Sequence, residues 1–68
     1  MKIRVNGEER LIQCNKNISL HEAMKLLGYS SNTVVVELNN LIINSEEWEN
    51  KFINDGDKFE IVSIVGGG

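Results

Sequence analysis

The residues able to do chemistry in this chain gather at its end, in Ile64-Val65-Gly66-Gly67-Gly68. Three of the six glycines stand there, after a β-rich run and with no following segment for them to turn towards. Glycine lacks a Cβ, accepts either sign of φ and is costly in entropy to order. Residues 66–68 therefore read as a slender tether of roughly 10 Å, at about 3.3 Å per residue. The competing reading is a frayed terminus. As a functional tail, it offers an α-carboxylate on Gly68 with no side chain beside it, narrow enough to enter a partner's channel. Such a carboxylate resists nucleophiles until one oxygen is converted to a leaving group.

The other reactive residues are a single cysteine and a single histidine, Cys14 and His21. One cysteine forms no internal disulfide, and one histidine without a cysteine pair completes no metal set. Nothing cationic adjoins Cys14 in sequence to activate its thiol, so it reads as a small core hydrophobe. His21 falls off the apolar stripe of its helix and reads as an exposed structural residue. No constellation of Cys, His, Asp or Glu elsewhere in the chain offers an alternative reactive centre.

The elements that must position the tail follow from periodicity. Met1, Ile3 and Val5 alternate with Lys2 and Arg4, the pattern of a strand with one buried face. Asn6-Gly7 suits a tight hairpin turn, and Glu8 to Cys14 reads as the return strand with Ile12 and Cys14 inward. Ser19 opens the one long helix, with Glu22 placed for a capping box and Ile18 and Ala23 for a hydrophobic staple. Leu20, Ala23, Met24 and Leu27 form its apolar stripe, with Leu26 on the flank, and Gly28 is placed to close it. Thr33 to Leu38 is the densest β-branched run, with Val34, Val36 and Leu38 facing the helix. Asn39-Asn40 turns the chain into a short strand, Leu41 to Ile43. Ser45 to Phe52 reads as one or two helical turns capped by Ser45, with Trp48 and Phe52 on one face closing the core. After the turn at Asn54 to Asp57, a last strand runs from Lys58 to Val65.

One amphipathic helix covers one face of such a sheet, giving an α+β fold with a mixed four- or five-stranded sheet. The long terminal strands are expected side by side and parallel at its centre, with Leu41 to Ile43 towards an edge. The opposite face is then wet. Val35, Val62 and Ile64 fall on it beside the root of the tail, and together read as a docking surface; ordinary cross-strand packing is the alternative.

At 68 residues the chain holds one small domain, over 1–65, followed by the glycine tail over 66–68. Seven Lys plus Arg against ten Asp plus Glu give a net charge of −3. The basic residues are scattered, which argues against nucleic acid or an anionic membrane as the main partner. MKIRVNGEER lacks the apolar core of a signal peptide, no run approaches membrane-spanning length, and a reducing cytoplasm is the expected compartment.

Taken together, MKIRVNGEE, SLHEAMKLLG, VVVELNN, SEEWEN and NDGDKFEIVSIVGGG resemble the ubiquitin-like β-grasp sulfur carriers of thiamine biosynthesis, the ThiS-type branch of the ThiS/MoaD-like proteins. The resemblance spans essentially the whole chain. Asn40 stands where these proteins usually have glycine, and Asn44 where they commonly have proline. The resemblance implies a β-grasp fold and a carrier with no catalytic pocket and no cofactor of its own. It further implies that an E1-like, ThiF-like adenylating enzyme uses ATP to activate Gly68. A persulfide from a sulfur donor protein then gives a thiocarboxylate, and a ThiG-like thiazole synthase receives the sulfur. Gly66 and Gly67 would admit the tail to those active sites, while Val35, Val62 and Ile64 would dock. The alternatives are the small subunit of molybdopterin synthase, which carries the same tail chemistry to a different acceptor; a ubiquitin-like protein modifier or a sulfur carrier for tRNA or cysteine synthesis; and a plain protein-interaction module with an inert tail.

Overall fold

The structure, a computed structural model, describes residues 1–13 and 17–64. Cys14, Val65 and the glycines 66–68, together with the expected boundary between domain and tail, lie outside the described residues.

Two hairpins and one crossover helix build the sheet. Strands β1 (Lys2–Val5) and β2 (Glu8–Leu11) pair antiparallel with Val5 opposite Glu8. The turn between them holds Asn6 at φ 51° and Gly7 at φ 85°, the two left-handed positions that such a connection requires. Strands β3 (Val34–Leu38) and β4 (Leu41–Ile43) repeat the device, with Asn39 at φ 52° and Asn40 at φ 74°. Asparagine tolerates this region better than other residues with a Cβ, so Asn40 makes the same turn without a glycine. The last strand, β5 (Lys58–Ser63), lies between β1 and β3. The five strands run in the order β2-β1-β5-β3-β4. As expected, the terminal strands are adjacent and parallel, with Val5 opposite Phe59, and β4 is an edge.

Helix α1 (Leu20–Leu27) crosses one face. Its first amides are all taken: Leu20 N–H donates to Lys51 O at 2.6 Å, His21 N–H to Trp48 O at 3.0 Å and Glu22 N–H to Ser19 Oγ at 3.1 Å. At the other end Gly28, at φ 91°, donates to Lys25 O while Tyr29 N–H donates to Met24 O, closing the helix in a Schellman arrangement. Leu20, Ala23 and Met24 pack onto Ile3, Val5, Val36 and Phe59, all buried, and Leu26 is exposed on the flank as the periodicity predicts.

The segment after β4 departs from the sequence reading. Only one 3₁₀ turn forms, over Ser45–Glu47; Asn44, not Ser45, occupies its cap position, and no side chain caps it. Trp48 is buried as expected and its indole N–H donates to Ile43 O at 3.0 Å. Phe52 does not join it. The chain is already extended there, bridged to Ser19, with Ile53 N–H donating to Ile18 O at 3.0 Å. Extended backbone sends successive side chains to opposite sides, so Phe52 is 57% exposed and Ile53, at 0%, closes the core.

Three smaller corrections concern the first half of the chain and the start of β3. β2 ends at Leu11, short of the expected return strand, although Ile12 still turns inward and donates its N–H to Met1 O at 2.8 Å. His21 is half-buried where an exposed residue was expected, because the Trp48 segment packs across the start of α1. β3 begins at Val34, with Thr33 preceding it.

Candidate functional site: the open sheet face beside the glycine tail

Alternation along β5 divides its side chains. Phe59 and Ile61 enter the core, whereas Val62, 61% exposed, and Ile64, 57% exposed, do not. The division depends on register, and side chains fix that register at several points. Asn6 lies just past the end of β1 and supplies with its amide the pairing that a further backbone unit would make. Its Oδ1 accepts Ile61 N–H at 2.7 Å and its Nδ2 donates to Ile61 O at 3.2 Å. Asn39 holds the start of the strand, accepting Lys58 N–H on Oδ1 at 3.0 Å and donating from Nδ2 to Asp57 Oδ1 at 3.1 Å. In the preceding loop Asp57 Oδ2 accepts Asn54 N–H at 2.7 Å, and Asp55 Oδ1 accepts Lys2 N–H at 2.6 Å.

On β3, Val35 sits directly opposite Val62, so two of the three expected docking residues are cross-strand neighbours on the open face. The strand hydrogen bonding continues to the edge of the described chain, where Ile64 N–H donates to Thr33 O at 2.9 Å. Ile64 is therefore anchored one residue before Val65. Gly66, Gly67 and Gly68 lie outside the described residues.

The structure adds Ile42 to this face. It pairs with Glu37 and is exposed. The two-residue Asn39-Asn40 turn sets Leu38 against Leu41, which puts Ile42 on the same side as Glu37, a consequence that the turn length alone carries. Val35, Ile42 and Ile64 line part of a shallow depression of about 210 Å³, with Val34, Ile43 and Trp48 from the core side. Ser31, Asn44 and Ser45 complete its lining.

Charge is distributed unevenly over the same face. Glu37 lies directly opposite Glu60, both half-buried. Towards β2, Lys2 Nζ meets a Glu9 carboxylate oxygen at 3.0 Å. Hydrogen bonding to that carboxylate, then its charge, holds the Lys2 ammonium above its ordinary range, but both groups are exposed and such a pair adds little to stability. Among the described residues no three His, Cys, Asp or Glu side chains gather as a metal-binding group. No helix of the described residues is long and apolar enough to cross a membrane.

Comparison with known proteins agrees with this architecture. The model of the ThiS family matches residues 3–68. The crystal structure of the thiamine biosynthesis protein ThiS from Geobacter metallireducens superposes with a TM-score of 0.83 at 28% identity, covering 100% of both chains. An uncharacterized protein, ycf40, of Trieres chinensis is 41% identical over 64 residues, which are 94% of this chain and 85% of that protein. A thiazole synthase of Paramagnetospirillum magneticum is 38% identical over 68 residues, all of this chain but only 20% of that protein.

Proposed function

The chain belongs to the ThiS family of ubiquitin-like sulfur carriers in thiamine biosynthesis, and from that premise we propose that Gly68 is the residue on which the sulfur is carried. The observation that carries the proposal is the extent of the family match, which runs through the glycines to residue 68.

The chemistry follows from the inertness of a carboxylate. A Gly68 oxygen attacks the α-phosphorus of ATP in the active site of an E1-like adenylating enzyme, and pyrophosphate leaves. The terminal sulfur of a persulfide on a donor protein then attacks the activated carbonyl and AMP leaves. A thiol cleaves the resulting S–S bond, forming a disulfide and releasing Gly68 as a thiocarboxylate. Thiazole synthase takes the sulfur from it. The relative in which thiazole synthase and a stretch similar to this chain share one polypeptide supports that acceptor.

In this scheme ATP and the persulfide belong to the partners, and the chain binds no cofactor itself. Its own contribution is geometric. The proposed division is a β-grasp domain over 1–65 and a tail over 66–68 that follows the central strand in sequence. Gly66 and Gly67 thread through a narrow channel because they lack Cβ atoms, and Val35, Val62 and Ile64 dock on the adenylating enzyme so that the tail is aimed.

The test is reconstitution with the cognate adenylating enzyme, ATP and a persulfide donor, followed by transfer to thiazole synthase. Sulfur at Gly68 and formation of thiazole support the reading. Transfer to molybdopterin synthase but not to thiazole synthase would reassign the pathway, and capture of Gly68 in an isopeptide bond to a lysine would make the chain a protein modifier.

A further inference from the structure

Building on the sulfur-carrier reading, we infer that Glu37 and Glu60 form the charged half of the docking surface and receive an arginine that the adenylating enzyme presents among apolar side chains. The two glutamates are directly opposite in the β3–β5 register. Side chains so placed are about 5 Å apart at Cβ, and like charges there destabilise a sheet. Two cations share the face, Lys58, two positions along β5 from Glu60, and Arg4, opposite Lys58 on β1, but among the described residues neither forms an ion pair with Glu37 or Glu60, and the ion pair present is Lys2–Glu9.

The surroundings make the arrangement informative. Val35 and Val62 lie on one side of the pair, and Ile42 lies across from Glu37. A partner that covers those apolar residues also removes water from two carboxylates. Without a compensating charge that desolvation opposes docking, so the covering surface must bring a cation. The requirement excludes a wholly apolar partner. It also excludes a second copy of this chain packed face to face, which would bring its own pair of glutamates against these. Of the basic side chains, a planar guanidinium has donors spread widely enough to serve two opposed carboxylates together, whereas an ammonium is a point charge. In the carrier reading the adenylating enzyme is the first partner to hold the tail, before any sulfur is attached, and the surface includes Ile64, which precedes that tail.

The full chain is tested as Glu37→Gln, Glu60→Gln and Glu60→Lys. Binding to the cognate adenylating enzyme is measured by calorimetry at low and high salt, alongside thermal melting and intact-mass assay of sulfur loading. Each glutamine variant is expected to melt at or above the wild-type temperature, since repulsion is relieved, yet to bind about tenfold or more weakly and with less dependence on salt. Glu60→Lys is expected to stabilise the isolated domain through Glu37 while binding weakest of all. Glutamine variants that bind within about twofold of wild type, a lysine variant that binds more tightly, or variants that melt lower would each overturn the inference. If wild type loads sulfur and the variants bind as well as it does, this inference alone fails; if wild type neither binds nor loads, the carrier reading fails with it.

Discussion

Asn6 shows how far a single residue's role extends beyond its local signal. Its place before Gly7 announces a turn, and the turn is there, but its side chain also clamps Ile61, fifty-five positions along the chain. A dipeptide preference carries no information about so distant a partner, so that role was not legible in the sequence. Asn6→Ala should cost about 2 kcal/mol, because it leaves Ile61 N–H unpaired and puts alanine at a left-handed φ; urea unfolding measures it. The exchange between Phe52 and Ile53 has a related cause. Spacing from Trp48 favoured Phe52 only if the helical turn continued, and the hydrogen bond from Ile53 N–H to Ile18 O ends it. Ile53→Ala should therefore destabilise by about 2–5 kcal/mol, and Phe52→Ala by much less. Equal losses in the two variants would contradict the packing described.

Among the elements, β5 links core and candidate site, and its two faces were legible from alternation alone. Phe59 and Ile61 face the helix while Val62 and Ile64 face outward, as that pattern requires. Val62→Asp and Ile64→Asp should accordingly leave the isolated domain within about 0.5 kcal/mol of wild type while weakening docking on the adenylating enzyme, and Phe59→Asp should unfold it. Circular dichroism and binding isotherms separate these results, and unfolding by Val62→Asp would mean that the open face is covered within this chain. The β3–β4 hairpin makes the complementary case. Two asparagines suffice for its turn, but each carries a Cβ at positive φ. Asn40→Gly should stabilise the hairpin by up to about 1 kcal/mol, seen as a raised denaturation midpoint. The 3₁₀ turn was less legible, since its end depends on packing across the helix start and not on any cap within Ser45–Glu47.

At the scale of the whole molecule, the sheet order places the first and last strands side by side and parallel, with the last strand at the centre. That arrangement was legible because alternation marks both terminal strands and the one amphipathic helix supplies the crossover between the hairpins. The candidate docking face was legible only in part. Val35, Val62 and Ile64 emerged from alternation, whereas Ile42 and the Glu37–Glu60 opposition depend on a pairing register that no single strand reveals. The central strand is hydrogen-bonded as far as Ile64, and the proposed chemistry takes place at Gly68. The most direct measurement is intact-mass spectrometry, with fragmentation, of the 68-residue protein after incubation with its adenylating enzyme, ATP and a persulfide donor. The predicted result is a gain equal to the difference between one sulfur and one oxygen, localised to Gly68 and lost when Gly68 is deleted. Sulfur found on Cys14 instead, or equal loading of the Gly68-deleted chain, would contradict it.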